Sequence, residues 1–450
     1  MLKPKITKRD CRACVWDKAP DCTIRCAEDE RDSCALKSLI SASGLQDEAL
    51  TTARHGDVTL SSAFQPIYSL THERVIGYEA LIRGERNGET VAPWEIIAGS
   101  DDFEQLVHLD RLCRAIHIRN FQRHLRHNAW LFLNVNPRVA VEGKQFGPFF
   151  GKLLDSTGIA PQRVVVEILE HAIIDEALLA RTVAYYRSMG CLIALDDFGS
   201  GHSNFDRIMR IQPDIVKMDT SMIRQAGSNV VARRIMPNLV AMLHEAGCLV
   251  LVEGVESEDE ALIALDANVD FVQGFYFARP SAPMSLPSHA ETFQRLDRRY
   301  THQYEVVRYR RRQAMRQYKQ HFAEAAAAYN NGVPLDQACK PLLELEAVQR
   351  CYLLDSNGKQ LGDNLYPITR QVPINTHFLP LADTRGANWN RKPYFRDAIG
   401  HPGKVRLSRP YLSTASVELT QTLSICIENR DELQVLCCDL SYHDEGGGES

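Results

Sequence analysis

The sequence has no long hydrophobic run, no excess of positive charge and no glycine-rich phosphate-binding loop. It contains no stretch of about 18 consecutive apolar residues, which argues against a transmembrane helix. The first residues, MLKPKITKRDC, lack the apolar core of a secretory signal peptide. The formal net charge is −5, so a general basic surface for nucleic acid is not expected. We therefore predict a cytoplasmic protein with no membrane span and no nucleic-acid partner.

Cysteine, in contrast, is more frequent than expected for a reducing compartment, with 13 residues in the chain. Most of those beyond position 34 are dispersed, several of them in apolar runs, and we interpret them as small buried residues. The N-terminal segment holds Cys11, Cys14, Cys22, Cys26 and Cys34. The first four have the spacing CxxC then CxxxC, which can surround one metal ion tetrahedrally. A zinc or iron–sulfur site and reduced thiols or disulfides in a flexible tail are equally compatible with this pattern.

Strand-like and helix-like segments alternate through the first two thirds of the chain. The apolar or β-branched runs are 64–70, 75–82, 131–135, 164–169, 191–195, 214–218, 249–252 and 271–277. The first two are close enough for a hairpin, and the others are spaced for βα units. This number and order predict a (β/α)8 barrel of the TIM type. An open doubly wound sheet is the alternative. The number of strands, eight, and the lack of a glycine-rich phosphate-binding fingerprint argue against it.

The remaining third of the chain predicts two further parts. Residues 291–332 are charged and rich in helix formers, which indicates one long connecting helix. Residues 333–445 carry strand and turn signals, including CYLLDSNGKQLG with Asn-Gly at a hairpin turn, and predict a small α+β domain. Together with a cysteine-rich segment 1–53 and a barrel domain 54–290, they complete the predicted domain organisation.

Polar side chains follow or end the predicted barrel strands, where the active site of such a barrel lies. They are Gln65, Glu79, Asn134, Glu167, Asp196, Asp197, Lys217, Asp219, Glu253 and Gln273. So many carboxylates converge only if cations hold them, because mutual repulsion would otherwise raise their pKa values. Carboxylate and amide oxygens select Mg²⁺, Mn²⁺ or Ca²⁺. Two such ions favour water attack on a phosphate ester, and enolisation of the enolase type is the alternative.

The stretch ALDDFGSG, residues 194–201, places two aspartates next to each other. Side chains alternate along a strand, so neighbours face one site only where the strand stops. We therefore expect the strand to end at Asp196 and Asp197. Gly199, Ser200 and Gly201 would supply the bend that follows.

The order of these motifs resembles that of the EAL-domain family of cyclic-di-GMP phosphodiesterases, over residues 58–285. The motifs are Glu79-Ala80-Leu81 with Arg83, Glu167…Glu170, Asp196–Gly199, Lys217–Asp219, Glu253–Glu256 and Gln273–Phe275. The resemblance implies hydrolysis of cyclic di-GMP to linear pGpG with two Mg²⁺ or Mn²⁺ ions, and it implies a homodimer. The alternatives are a cyclic-di-GMP receptor without turnover, or a scaffold that acts through protein contacts.

The resemblance also implies a role for each matching residue. Glu79, Asn134, Glu167 and Asp196 would bind the first metal. Asp196 would bridge to the second, which Asp197 and Glu253 complete, and Glu253 is the alternative general base. Lys217 would hold the attacking water, and Glu79 counts with Lys217 and Glu253 as catalytic. Gln65, Arg83, Asp219 and Gln273 would contact the substrate or the water. Glu170, Gly199, Ser200 and Gly201 would support the loop.

Departures from the family pattern are confined to loops. Asn136 stands where a serine is usual, and His171, His202 and Asn204 replace small hydroxyl or aromatic residues. Rate and regulation are the properties these positions would affect. Residues 391–397 and 408–413, RKPYFRD and SRPYLS, are similar to PAS-like sensor folds of the Cache type. That similarity implies a small-molecule ligand for the C-terminal domain, and a dimerisation module with an empty pocket is the alternative.

Overall fold

The computed structural model describes most of the chain from residue 51 onward. The described residues are 51–98, 102–123, 129–142, 149–169, 176–200, 205–282, 289–368, 381, 383–416, 418–429 and 432–442, with only the backbone of 98, 169, 304, 308 and 311. The N-terminal cysteines, Glu170, His171, Gly201, His202 and Asn204 lie outside these ranges. The chain divides into two compact units, Met1–Tyr300 and Thr301–Ser450. Each unit is described separately below.

The first unit is built on a sheet that closes into a barrel. Its strands are β1 (Ala53–His55), β2 (Val58–Ser69), β3 (Arg74–Arg86), β4 (Glu89–Val91), β5 (Trp130–Asn134), β6 (Val164–Leu169), β7 (Leu192–Phe198), β8 (Ile215–Met218), β9 (Leu249–Val252) and β10 (Phe271–Val272). The sheet order is β1-β2-β10-β9-β8-β7-β6-β5-β3-β4, and pairing of β2 with β3 closes it. β2 is antiparallel to β3 and β10, and the other barrel neighbours are parallel. The predicted (β/α)8 barrel is confirmed.

Helices follow the parallel strands and cover the outside of the barrel. They are α1 (Pro93–Ala98), α2 (Phe103–Gln122), α3 (Pro137–Glu142), α4 (Phe150–Thr157), α5 (Glu176–Ser188), α6 (Phe205–Ile211), α7 (Thr220–Ser228), α8 (Val230–Glu245) and α9 (Glu258–Asp266). Local sequence fixes several starts. Asp102 and Asn229 accept backbone N–H groups at the first turns of α2 and α8, and Ser257 with Glu260 forms a capping box at α9.

A fully apolar layer of side chains lies in the interior of the barrel. It consists of Ile67, Phe132, Val165, Ala194, Ile215, Leu251 and Phe271, one from each of seven strands. β3 contributes Gly77, because a Cβ there would lie 2.8 Å from Phe132 Cε2. Since alternate residues of a strand face the same side, the residues two positions along each strand also face the interior.

The second unit is a small α+β fold, as the sequence predicts. Its strands are β11 (Val348–Asp355), β12 (Gln360–Leu365), β13 (Arg406–Leu407), β14 (Tyr411–Leu412), β15 (Leu419–Asn429) and β16 (Glu432–Ser441), in the order β12-β11-β16-β15-β13 with β14 on β15. β11 and β12 form the predicted hairpin, and Gly358 at its turn has a φ of 79°.

Two separate cores lie on the two faces of this second sheet. Alternate residues of β11 divide between them, with Cys351 in one core and Tyr352 in the other. The first core packs against the C-terminal part of α10 (Ala290–Asn330) and against α11 (Leu335–Leu343). The second core packs against α12 (Pro393–Gly400). The long helix expected over 291–332 is present, and it ends at Asn330. No helix among the described residues has the length and apolar character needed to cross a bilayer.

Candidate active site and metal centre

The polar residues of the site form the layer directly above the apolar filling of the barrel. Two positions beyond the filling residues, at the carboxyl ends of the strands, lie Glu79, Asn134, Glu167, Asp196, Lys217, Glu253 and Gln273. On the antiparallel β2 the same step backward from Ile67 reaches Gln65, which pairs in register with Glu79. The period of two along eight strands therefore brings the predicted residues to one mouth.

Lys217 is the centre of this layer. Its Nζ atom lies 2.6 Å from Glu167 Oε1, 3.1 Å from Asp196 Oδ1 and 2.5 Å from Glu253 Oε1. Lys217 is 1% exposed and Glu167 is fully buried, whereas the Glu253 side chain is 22% exposed. The single ammonium group therefore offsets part of the negative charge of the three carboxylates, and Glu253 is the most exposed of the three.

Glu79 is held by two amide side chains. Asn134 Nδ2 donates to Glu79 Oε1 at 3.1 Å, and Gln273 Nε2 donates to Glu79 Oε2 at 2.6 Å. Gln273 Nε2 also donates to Gln65 Oε1 at 3.0 Å, and Gln65 Nε2 donates to the Ala278 carbonyl at 3.2 Å. Both carboxylate oxygens of Glu79 are thus oriented by neighbours from other strands. Gln65 and Gln273, expected to contact substrate, belong to this network.

Asp196 and Asp197 both reach the site, but not because the strand ends there. β7 continues to Phe198, and its register with β8 shifts between Leu195 and Phe198. Asp197 has a φ of 58° within this irregular stretch. A bulge with one left-handed residue lets two successive side chains face the same side. The expected end of the strand at Asp196 and Asp197 is therefore wrong, and the bulge is the physical reason for their convergence.

The turn after the bulge depends on Gly199. Its φ is 99°, and a Cβ there would lie 2.5 Å from Met222 Sδ. Ser200 N donates to the Asp197 carbonyl at 3.2 Å and closes the turn. Gly199 and Ser200 thus form the turn directly after Asp197, and their role in supporting this loop stays a prediction. Met222, on the helix after Lys217, is a neighbour that the sequence did not single out.

Burial and mutual repulsion shift the pKa values of the central groups. Burial raises the pKa of Glu167 well above its usual range, although Lys217 opposes the shift, and it raises the pKa of Glu253 to about 8. Burial lowers the pKa of Lys217, but Asp196, Glu167 and Glu253 outweigh it and leave that pKa well above its usual value. Lys217 therefore carries its charge at neutral pH and donates hydrogen bonds rather than accepting protons.

The donor set fits hard divalent cations. Oxygen atoms of Glu79, Glu167 and Glu253 lie within 4.8 Å of one another, and so do those of Asp196, Asp197 and Glu253. Within the described residues, Glu167 Oε2 is buried with no hydrogen-bond partner, as is Gln273 Oε1. Buried oxygens without donors favour a ligand that supplies positive charge. Glu253 is common to both groups, whereas the expected bridge was Asp196.

Two other predicted residues have partners that sequence alone did not indicate. The Asp219 carboxylate accepts the Ser221 N–H at 3.0 Å and caps α7. Arg83 Nη1 donates to the Ile82 carbonyl at 2.9 Å. A role for either in substrate binding stays a prediction. The predicted roles of Glu170, Gly201 and the cysteines Cys11, Cys14, Cys22 and Cys26 concern residues outside the described ranges.

Comparison with known proteins assigns the first unit to a family. A family model described as the EAL domain matches residues 47–280, just over half of the chain. The chain is 25% identical over 403 residues to the uncharacterized EAL-domain containing protein YkuI of Bacillus subtilis, covering 84% of this chain and 93% of YkuI. A solved structure of YkuI, in complex with cyclic di-GMP and calcium, matches with a TM-score of 0.70 at 23% identity. That match covers 86% of this chain and 97% of the YkuI chain, and it shows that the two proteins have a similar fold.

Two other relatives carry names that state an activity. The probable cyclic di-GMP phosphodiesterase PdeN of Escherichia coli is 26% identical over 223 residues, which cover 48% of this chain and 43% of PdeN. The cyclic di-GMP phosphodiesterase RocR of Pseudomonas aeruginosa is 28% identical over 151 residues, 33% of this chain and 38% of RocR. This chain therefore spans less than half of either relative.

Proposed function

The chain belongs to the EAL-domain family, and on that premise we propose that it is a metal-dependent phosphodiesterase that hydrolyses cyclic di-GMP to linear pGpG. The observation that carries the proposal is the complete set of oxygen donors around a buried, charged lysine at the mouth of the barrel. A binding module has no need of a buried cluster of mutually repelling carboxylates, which is costly to maintain.

The residues at the mouth would hold two Mg²⁺ or Mn²⁺ ions. Glu79, Asn134, Glu167 and Asp196 would bind one ion, and Asp196, Asp197 and Glu253 the other. When bound, the two ions would activate the attacking water as Lewis acids and offset charge on the phosphate. Asn134 and Gln273 fix the orientation of the Glu79 carboxylate beforehand, so little reorganisation is needed on binding.

Lys217 and Glu253 have complementary proton roles. Lys217 stays protonated, so its Nζ can donate to the attacking water or to a phosphate oxygen and stabilise developing negative charge. Glu253 is the more exposed carboxylate beside Lys217. It can complete the second cation site or accept the proton of the water, and these two roles are alternatives. Hydrolysis breaks the P–O3′ bond of one of the two phosphodiesters and joins a water oxygen to phosphorus. The second proton of the water ends on the freed 3′-hydroxyl.

The experiment is a product assay. Purified protein is incubated with cyclic di-GMP and Mg²⁺ or Mn²⁺, and nucleotides are separated by chromatography. The proposal predicts pGpG from the wild type and none from the Glu79→Gln variant. Tight binding without product would favour the receptor alternative, and the absence of binding would favour the scaffold.

We further propose that a domain at 333–445, joined to the phosphodiesterase domain 54–290 by a connecting helix 291–332, regulates turnover in response to a small molecule. The buried ion pair of Arg350 with Asp439, at 2.8 Å in the second unit, supports this proposal. Tyr352 OH donates to Asp439 Oδ1 at 3.3 Å, and the Arg350 guanidinium lies 4.5 Å from the centre of the Tyr352 ring. Buried charge in a small domain carries a large desolvation cost, and a role in ligand response would account for its presence here. A thermal-shift screen of small charged metabolites, with turnover measured for each hit, tests it, and a screen without hits would contradict it.

Two remaining proposals concern assembly and the N-terminal segment. A homodimer is expected, and light scattering of the purified protein would detect a monomer if that expectation is wrong. Cys11, Cys14, Cys22 and Cys26 would bind zinc or an iron–sulfur cluster. Elemental analysis and thiol titration of the full chain distinguish bound metal from free thiols or disulfides.

A further inference from the structure

A buried ion pair on α2 lies against the loop that follows Asn134. Asp110 and Arg114 are one helical turn apart, with side chains only 10% and 5% exposed, and Arg114 Nη2 pairs with Asp110 Oδ2. The other oxygen, Asp110 Oδ1, accepts the backbone N–H of Asn136 at 3.3 Å. Apolar residues of similar volume in place of a buried ion pair are often neutral or stabilising. A contribution to stability therefore does not by itself explain why this ion pair is present.

The three residues after Asn134 are each held by a different element. Val135 N donates to the Glu167 carbonyl of β6 at 3.3 Å. Asn136 N donates to Asp110 of α2. The Thr182 hydroxyl of α5 is shared between the Leu178 carbonyl of its own helix at 2.9 Å and the Pro137 carbonyl at 3.3 Å. Three independent anchors on three consecutive residues leave the backbone little freedom. The direction in which Asn134 leaves β5 is thereby set.

Asn136 also begins the next helix, which makes its own orientation matter. Its Oδ1 atom accepts the N–H groups of Arg138 at 3.0 Å and Val139 at 3.4 Å, as an N-cap of α3. Pro137 has no N–H, so the N–H of Asn136 is the last donor of the loop before the helix. Asp110 satisfies that donor. A change at Asp110 would thus be transmitted to the loop without touching Asn134 itself.

We propose that Asp110 is a positioning residue, whose carboxylate, held by Arg114, fixes the loop that aims Asn134 at Glu79 and at a divalent cation. This inference rests on the proposed function, because it assumes that Asn134 binds a cation. It goes beyond it by assigning a role to a helix residue outside the motifs named in the sequence analysis. Asn134 Nδ2 reaches Glu79 Oε1 at 3.1 Å only while the backbone between β5 and α3 keeps its course.

Arg114 has a second partner that provides a control. Its Nη1 atom donates to the Tyr186 hydroxyl at 2.7 Å, and its guanidinium lies 5.4 Å from the centre of the Phe150 ring. The Tyr186→Phe variant removes one bond of Arg114 and leaves the contact of Asp110 with Asn136 intact. It should lower stability without changing cation affinity.

The test is Mn²⁺ binding by the full chain without nucleotide, measured from the electron paramagnetic resonance signal of free Mn²⁺. Two double variants both lose the ion pair and differ only in the acceptor offered to Asn136. Asp110→Leu with Arg114→Met has no acceptor, whereas Asp110→Asn with Arg114→Met keeps one. We expect the first to raise the Mn²⁺ concentration at half-occupancy about 10-fold. The second and Tyr186→Phe should bind near the wild-type concentration.

The outcomes separate this inference from its premise. Wild-type affinity in the Leu/Met variant, or equal weakening in both double variants, would overturn the positioning role while leaving the proposed function intact. If the wild type binds no Mn²⁺, the proposed function fails and this inference with it. Should the Leu/Met variant not fold by thermal melting, Asp110→Ala with Arg114→Met makes the same comparison with a smaller side chain.

Discussion

Lys217 Nζ lies 2.6 Å from Glu167 Oε1, and both side chains are almost completely buried, at 1% and 0% exposure. This ion pair is the centre around which the other carboxylates are arranged. Lys217 Nζ also lies 3.1 Å from Asp196 Oδ1, so it offsets part of the charge of the two adjacent aspartates at the bulge of β7. Glu167 Oε2 has no hydrogen-bond partner among the residues described, and cations would supply the rest.

The Lys217→Met variant should therefore lose both stability and activity. Removing one member of a buried ion pair leaves an uncompensated charge, so the free energy of unfolding of the metal-free protein should fall by about 3 kcal/mol. Added Mn²⁺ should recover part of that loss, whereas turnover should stay at least about 100-fold reduced. Urea unfolding with and without Mn²⁺ measures the first effect. Unchanged stability in the absence of metal would contradict this account, and Lys404→Met, at an exposed position, is the control.

Gln273 should support turnover by orienting the Glu79 carboxylate, in addition to any effect on stability. In Gln273→Met the Glu79 Oε2 atom loses its donor at 2.6 Å, and turnover should fall about 10- to 100-fold. The control is Gln122→Met. It removes a hydrogen bond that the Gln122 side-chain amide donates to the Thr157 carbonyl elsewhere in the first unit, and it should leave turnover unchanged. Wild-type turnover in Gln273→Met would show that the hydrogen bond from Gln273 to Glu79 is not needed for activity.

Two glycines should respond in opposite ways to the same added methyl group. In Gly274→Ala the Cβ would lie 2.0 Å from the Val255 carbonyl oxygen, a backbone atom that cannot move aside, so a loss of about 3 kcal/mol or more is expected. In Gly227→Ala, within α7, the nearest atom is Ile263 Cδ1 at 3.9 Å, and a gain of about 0.5 to 1 kcal/mol is expected. Thermal melting of both variants measures the difference, and similar melting temperatures would refute it.

His117 should make the first unit sensitive to acid. Burial, and secondly the charge of Arg83, lowers its pKa from 6.5 to about 3. The unfolded chain therefore binds a proton that the folded chain excludes. Above pH 6.5 both states are neutral at this residue, and His117 does not affect the free energy of unfolding. Between pH 6.5 and 3 the free energy of unfolding falls by about 1.4 kcal/mol per pH unit. His117→Gln should flatten that part of the stability profile, whereas His302→Gln, at an exposed position, should not. An unchanged slope in His117→Gln would disprove the assignment.

Sequence alone predicted the barrel and the residues at its mouth because both follow from strand periodicity. Once strands are placed, a step of two residues from Phe132 or Ile215 necessarily reaches Asn134 or Lys217. The pairing of β2 with β3 corresponds to the hairpin expected from the sequence. The long-range pairing of β2 with β10, which also closes the barrel, was implied only by the number of strands.

Local departures from regular geometry were beyond the sequence pattern. The strand predicted at 271–277 ends at Val272, because close approach of Gly274 to the Val255 backbone turns the chain. The bulge at Asp197 depends on register with β8, which is a tertiary property. Asp110 and Arg114 could have been noticed as opposite charges one turn apart on a helix, but the other partner of Asp110, Asn136, lies 26 positions away.

The most direct test of the central claim is hydrolysis of cyclic di-GMP in ¹⁸O-labelled water with Mn²⁺, followed by mass spectrometry of the nucleotides. Attack of water on phosphorus predicts pGpG that carries one ¹⁸O atom on its terminal phosphate, and no such product from Glu79→Gln. Recovery of unlabelled, intact cyclic di-GMP from a wild-type protein that binds both nucleotide and Mn²⁺ would contradict the account.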